Sequence, residues 1–551
     1  VKISKSVLGG VAVASAAALV LVGCSSTGSE TDPSASAGGG TTGDAIIKTN
    51  GSEPANPLIP SATNETGGGK IIDAIFAGLV YYDGDGAAHN EVAESITTED
   101  SQTFTVTLKE GWTFTDGTPV LAHNFVDAWN WSADPANAAV SLNNYFYESI
   151  EGFDGYNAEE GASTPAMSGL TVVDDLTFTI TLAAPQADFP LSLGYSAFYP
   201  LPDVFFEDPE AFGANPVGNG TYMLEDPADW QRDVQIELAV NPDYAGERVA
   251  QNDGLLITFY ASQDAAYADL LAGNVDVIDG IPDSAFATFE DDLGERAVNQ
   301  PAAIFQSFTI PERLAHFSGE EGKLRRQALS MAINREEITD VIFQGTRTPA
   351  SDFTSPVIAG WSDSIPGSEV LAYDPETAVE LWAEADAISP WEGTFEIGYN
   401  ADGGHQGWVD AVANSIKNTL GIEAAGAPFP TFAEFRTSIT DRVIETSFRT
   451  GWQADYPSLQ NFLGPLYYTG AGSNDGDYSS EAFDALIDEG RSTVDPDEAN
   501  AKFQEAQEVL FQDLPAIPLW YSNVTGGYAE TVDNVVFDWH SVPLFYQITK
   551  N

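Results

Sequence analysis

Cysteine is nearly missing from this chain: Cys24 is the only one in 551 residues. A lone cysteine excludes an internal disulfide and a cysteine-built metal cluster. Histidine is almost as scarce, at five scattered positions, which leaves little for a metal site of any kind. Basic residues are few as well, 21 against 83 acidic ones, for a formal charge of −62. Such a surface repels phosphate backbones and anionic headgroups, so nucleic acid is excluded as a partner. Only one long apolar run exists, Val7 to Val22, and it is too short for a comfortable membrane span. The sequence has no His-Glu-x-x-His, no Gly-x-Ser-x-Gly and no Ser-x-x-Lys, so the usual signatures of an extracellular hydrolase are absent. Paired carboxylates carry no information in so acidic a chain, and composition does not separate a glycosidase.

What is present is a globular composition, 43% apolar and 11% aromatic. The length is too great for one core and predicts two or three domains. Lys2 and Lys5 precede the apolar run, which ends in Leu21-Val22-Gly23-Cys24. This ending resembles a bacterial lipobox. It implies a signal peptide over 1–23, acyl chains on Cys24 and attachment to the membrane through them; a single incidental cysteine after an ordinary signal peptide is the alternative. Residues 24–43 are a flexible Ser/Gly/Thr tether, and the folded body begins near Asp44, outside the cytoplasmic membrane.

Along the body, Gly67-Gly68-Gly69-Lys70 looks like a phosphate loop, but Ile71 stands where a Mg²⁺-binding hydroxyl belongs, so the stretch reads as a helix entry. Asp83-Gly84-Asp85-Gly86 has calcium-type ligands without the closing Glu and reads as a hairpin turn. Thr103–Leu108 and Thr177–Leu182 alternate apolar and Thr positions, as two strands of one sheet with a packed face. Past Pro311 helices dominate, with Leu324, Ala328 and Met331 on one face and Asn334, Asp374 and Asp495 as caps. Strands over 394–399, 443–452 and 517–520 separate them, and the strand-like tail from Val535 returns to the first lobe.

The stretch Arg449 to Leu463 joins chemistry to a bend. Val443, Ile444, Phe448 and Trp452 make a strand, Gly451 admits another backbone, and Tyr456-Pro457 ends the run before a helix with Leu459 and Phe462 inward. Arg449 and Asp455 bracket the strand end, an arrangement suited to a zwitterion. Capping of the following helix is the other role open to Asp455, and a structural ion pair the other role open to Arg449.

Seven landmarks in order carry a resemblance: Trp112-Thr-Phe-Thr-Asp-Gly-Thr-Pro-Val, Pro216-Val-Gly-Asn-Gly-Thr-Tyr, Asn241-Pro-Asp-Tyr, Leu271-Ala-Gly-Asn-Val-Asp-Val, Leu324 through Glu336, Tyr373-Asp-Pro-Glu-Thr-Ala and Gly451-Trp-Gln-Ala-Asp-Tyr. The chain resembles the peptide-binding solute receptors of ABC importers, a class that includes dipeptide-, oligopeptide- and nickel-binding lipoproteins. The resemblance implies a two-lobed α/β fold of the periplasmic-binding-protein type, with an accessory domain and a hinge. Lobe I would comprise 44–59, 188–302 and 522–551, the accessory domain 60–187 and lobe II 303–521. It implies a monomer without catalytic residues, cofactor or metal, which hands a short peptide to a permease. The rival within the class is a non-peptide ligand such as a sugar or metal chelate.

The family's peptide lies as an extended strand held by main-chain hydrogen bonds. By position in the motif, Asp455 would meet the α-ammonium, Arg449 the carboxylate of a short peptide, and His405, five residues after Asn400, that of a longer one. Gly451 and Gln453 would pair with the peptide backbone and Trp452 would wall a side-chain pocket. The loop at Glu53 matches a place where relatives offer a backbone N–H, although Pro54 beside it has none.

Overall fold

The computed structural model describes residues 45–63, 65–153 and 166–551; the segment containing Cys24 lies outside the described residues. A twelve-stranded mixed sheet runs through the body. One half gathers Ile46–Gly51, Gly254–Phe259, Gln235–Val240 and Val277–Ile278; the other gathers Thr394–Asn400, Glu423–Phe429 and Ser447–Gln453. Two strands of 13 residues, Ala297–Thr309 and Ala516–Tyr528, pair antiparallel and belong to both halves. The second is far longer than the 517–520 run its sequence suggests, because Gly526 and Gly527 continue the ladder after the apolar residues stop.

That long ladder shifts register twice, at Gln306/Ser307 and, more widely, where the two halves meet. Pairing passes from Pro301↔Asn523 to Ile304↔Ser522, leaving Ala302 and Ala303 outside it. Proline offers no N–H, and extra residues in one strand bend it. Ala302 packs with the core of Ile47, Leu255 and Phe198, whereas Ala303 packs with that of Leu459, Phe462 and Leu510. The bend therefore lies between two separate apolar cores.

The two Thr-alternating strands are neighbours in a separate four-stranded antiparallel sheet, with Phe104 opposite Ile180 and Val106 opposite Phe178. The glycine-rich entry is the helix Thr66–Ile75, and its N-terminus is occupied by the Glu65 carboxylate, which accepts from the Gly67 and Gly68 N–H groups. Lys70 is buried on Asp279 and the Asn50 carbonyl, so this is no phosphate cradle. Asp83 closes the hairpin of Val80–Tyr82 with Ala88–Asn90, accepting from Asp85 and Ala87 N–H.

Two sequence readings need correction. The helix Gly319–Met331 buries Arg325 and Arg326 completely, alongside Ala328 and Leu329. Arg325 meets Glu321 and Asp386 at 3.0 Å, while Arg326 donates to the carbonyls of Asp513 and Phe317. Buried guanidinium groups with this many acceptors are stable, but removing one charged partner costs about 3–5 kcal/mol. The second correction is that the strand read from Val443 starts at Ser447: Arg442 has a left-handed backbone (φ 58°), and Val443 is exposed.

Candidate ligand-binding cleft

The strand Ser447–Gln453 has one covered edge and one largely open edge. On one side its residues Phe448 to Gln453 pair antiparallel with Thr309 to Ile304. On the other, the parallel strand Thr394–Asn400 pairs only with Ser447 and Phe448. Among the described residues, Thr450 to Gln453 has no ladder partner on that side. Alternate N–H and C=O groups of such an edge point outward and are a template for another strand. Gly451 is exposed on it, and a Cβ there would come no closer than 3.6 Å to the adjoining strand, at the Phe305 carbonyl. The protein's own packing does not demand this glycine; an incoming backbone would.

Asp455 stands just beyond the end of this edge, half-buried. Its backbone N–H donates to Asn461 Oδ1 at 2.9 Å, and Asn461 Nδ2 donates back to Oδ2 of Asp455 at 3.3 Å. The role of helix cap belongs to another residue: Ser458 caps Leu459–Tyr467, accepting from Gln460 N–H. Desolvation pushes the Asp455 carboxyl up to about 7, only partly opposed by the Asn461 bond. Among the described residues it has no cationic partner, and a carboxylate in that state gains most from an ammonium.

Aromatic rings face it from the other lobe. After burial, the charge of Asp455 is the largest cause raising the phenols of Tyr145 and Tyr195, and it also acts on Tyr82. The ring of Phe146 lies 4.5 Å from that of Tyr145 and 4.3 Å from that of Tyr195, which makes a stack. These residues were not singled out from sequence; the aromatic run Tyr145-Phe146-Tyr147 was their only signal.

Arg449 and His405 sit toward the other end. Arg449 Nε donates to Asn400 Oδ1 at 2.8 Å, and its guanidinium lies 5.5 and 5.4 Å from the rings of Phe432 and Phe435. These contacts hold it at the carboxyl ends of the parallel strands, where open α/β sheets bind ligands. His405 precedes the helix Gln406–Leu420, and its Nδ1 accepts from the Trp408 indole at 3.1 Å. A Cβ on Gly403 would meet both Asn400 Nδ2 and His405 Nε2 at 2.6 Å, so the two side chains share one neighbourhood.

The remaining expected residues have side chains with partners of their own. Trp452 lies on the opposite face from Arg449, Gly451 and Gln453. It packs against the second-lobe core and donates to Asn461 at 3.0 Å. Gln453 donates to the His540 carbonyl at 3.1 Å, so the C-terminal tail reaches this edge besides pairing Lys550 with Asp276 in the first lobe. The Glu53 carboxylate is committed to Asp233 N–H at 2.9 Å and Arg232 at 3.3 Å, leaving its backbone for any ligand role.

The lobes also touch directly. Asp188, next to the first core, accepts from Ser458 Oγ at 2.7 Å, and Ala187 N–H donates to the Arg491 carbonyl at 2.6 Å. Tyr82 packs against both cores and meets Trp539 edge-on at 5.5 Å. Among the described residues, no helix is long and apolar enough to cross a membrane, and no group of His, Cys, Asp or Glu is placed to hold a metal.

Comparison with known proteins agrees with this architecture. The periplasmic oligopeptide-binding protein OppA of Salmonella typhimurium is 26% identical over 492 residues, covering 86% of this chain and 87% of that one. Heme-binding protein A of Haemophilus influenzae is also 26% identical, over 364 residues and 64% of each chain. The crystal structure of Haemophilus influenzae OppA in complex with the peptide RPPGFSPFR superposes with a TM-score of 0.74 at 24% identity, over 92% of this chain and 99% of that one. Its fold is therefore the fold of this protein: two lobes of mixed α/β structure with a hinge between them. The model of the bacterial extracellular solute-binding proteins, family 5 Middle, matches residues 87–474, and the chain belongs to that family.

Proposed function

We propose that the protein captures short peptides as an added strand on the Thr450–Gln453 edge and delivers them to an ABC permease. The carrying observation is an open strand edge that ends at a half-buried carboxylate with no cation beside it among the described residues. Main-chain bonds to an edge are independent of side chains, which suits a receptor for many peptides. Asp455 takes the α-ammonium. Arg449, and His405 for a longer peptide, take the carboxylate end, since a guanidinium meets a carboxylate through two parallel bonds. Gly451 and Gln453 supply backbone contacts, joined by the backbone at Glu53. Trp452 walls a side-chain pocket, with its indole tied to Asn461.

The receptor binds and carries; it has no catalytic role and needs no cofactor or metal. Lobe I is 44–59, 188–302 and 522–551, the accessory domain 60–187 and lobe II 303–521, a division supported by the ladder break at Pro301–Ile304. Acyl chains on Cys24 tether this monomer to the outer face of the cytoplasmic membrane. Native mass spectrometry of the purified protein tests the ligand class. A ladder of peptide masses is expected; a discrete sugar, porphyrin or metal chelate in its place overturns the reading.

We attribute closure to Asp188 on Ser458, in the turn that carries Asp455, and to Ala187 on Arg491, at the end of the separate helix Glu481–Ser492. A hydrogen bond to a charged group contributes about 1.5–3 kcal/mol. Asp188→Ala is thus expected to speed peptide release by roughly tenfold to a hundredfold, with little change in association rate, in stopped-flow displacement. An unchanged release rate removes this contact from closure.

A further inference from the structure

We propose that Asn461 is the positioning residue of the ammonium site: its amide, fixed by two N–H donors, holds the Asp455 carboxylate charged and oriented. Asn461 is buried in the first turn of Leu459–Tyr467, with 2% of its surface exposed. Its Oδ1 accepts from the Trp452 indole at 3.0 Å and from the Asp455 backbone N–H at 2.9 Å. With the oxygen so committed, the amide has one orientation, and its Nδ2 faces Asp455 Oδ2 at 3.3 Å. An asparagine is suited to this place because it accepts on one side and donates on the other while carrying no charge. A serine or alanine lacks one or both functions, and an aspartate would put a second acid against the first.

The arrangement also gives Trp452 a role. Strand and helix are tied together by its indole, so the ring sets the amide that sets the carboxylate. The charge of Asp455 acts on the phenols of Tyr82, Tyr145, Tyr195 and Tyr456, all of them raised. Asp188 on Ser458, Arg491 beside Tyr456, and His540, which bonds the Ala454 backbone, are the other titratable or charged groups on the elements packed around it. Against desolvation, the Asn461 bond favours the charged form of Asp455. Losing it makes the carboxylate harder to ionise, and ammonium binding then requires a higher pH.

This inference rests on the reading of Asp455 as the ammonium partner, and one set of measurements separates the two. The probe is a synthetic tetrapeptide pool, free or N-acetylated, titrated calorimetrically from pH 5 to 8 into the full-length protein. Asn461→Ala is expected to lower affinity for the free-amine pool about tenfold at pH 7, with the midpoint of the pH profile moved upward. In an Asp455→Asn background the same change is expected to have little further effect, because residues acting through one group are not additive. Trp452→Phe, which keeps an aromatic ring in place but removes the indole N–H together with the fused second ring, is expected to shift the midpoint in the same direction by a smaller amount, and it stands in if Asn461→Ala does not fold. Equal losses at every pH, or losses for the acetylated pool too, overturn the positioning role. If Asp455→Asn itself leaves free-amine binding unchanged, the ammonium reading fails first.

Discussion

Asp455→Asn is expected to weaken binding of free-amine peptides by about 2–5 kcal/mol, or on the order of thirtyfold to several thousandfold, because a buried ammonium is left without its counter-charge. N-acetylated peptides carry no ammonium and are expected to bind the wild type and the variant nearly alike. The substitution keeps the shape of the side chain, and the Asp455 backbone bond to Asn461 remains. The loss thus reports charge, not packing. Parallel titration of both peptide forms into both proteins gives the comparison directly. Equal losses for both forms sink the ammonium role and return Asp455 to a structural one.

That residue was legible because it lies inside a run of short-range signals: an aromatic strand, a Tyr-Pro bend and an apolar helix. Of the two roles open to it, the helix cap is taken by Ser458, three residues later. Arg449 was legible only by spacing, and the rings of Phe432 and Phe435 that flank it come from a separate helix. Tyr145 and Tyr195 were invisible as site residues, since nothing local brings them to a turn some 300 residues onward; tertiary packing alone does. Asn461 sat within the singled-out stretch, but a polar residue in a first helical turn reads as solvent-facing until the strand beside it is placed. Arg325 and Arg326 failed for the same reason. Helical periodicity scores a cation as outward, whereas here carbonyls and carboxylates from 64 and 187 residues away enclose them. The fold was read more fully because alternation, caps and glycine turns are local, and the second long strand was misjudged where Gly526 and Gly527 interrupt the pattern.

The pH profile of binding follows from the same carboxylate. Burial holds the ligand-free Asp455 carboxyl up at about 7, and an ammonium at ion-pair distance lowers such a pKa by about 1–3 units. The charged form binds, so affinity is fullest above the free value and is lost as pH falls through it. Between the free and bound values the loss is about tenfold per pH unit, reaching about a hundredfold for a two-unit shift. Near pH 6 binding is expected to release close to one proton, visible as a buffer-dependent enthalpy in calorimetry. Above about pH 8 the peptide's own α-ammonium deprotonates, and affinity falls again. His540, pushed down to about 4 by burial, stays neutral across this range. Asp538, whose carboxyl burial pushes up to about 7, titrates in the same window on the tail that contacts Gln453. Asp455→Asn separates Asp455 from the other buried carboxyls: if Asp455 is responsible, the acid limb of the profile disappears in the variant, and if that limb persists, the titrating group is Asp538 or the neighbouring Asp73, which burial raises to about 6.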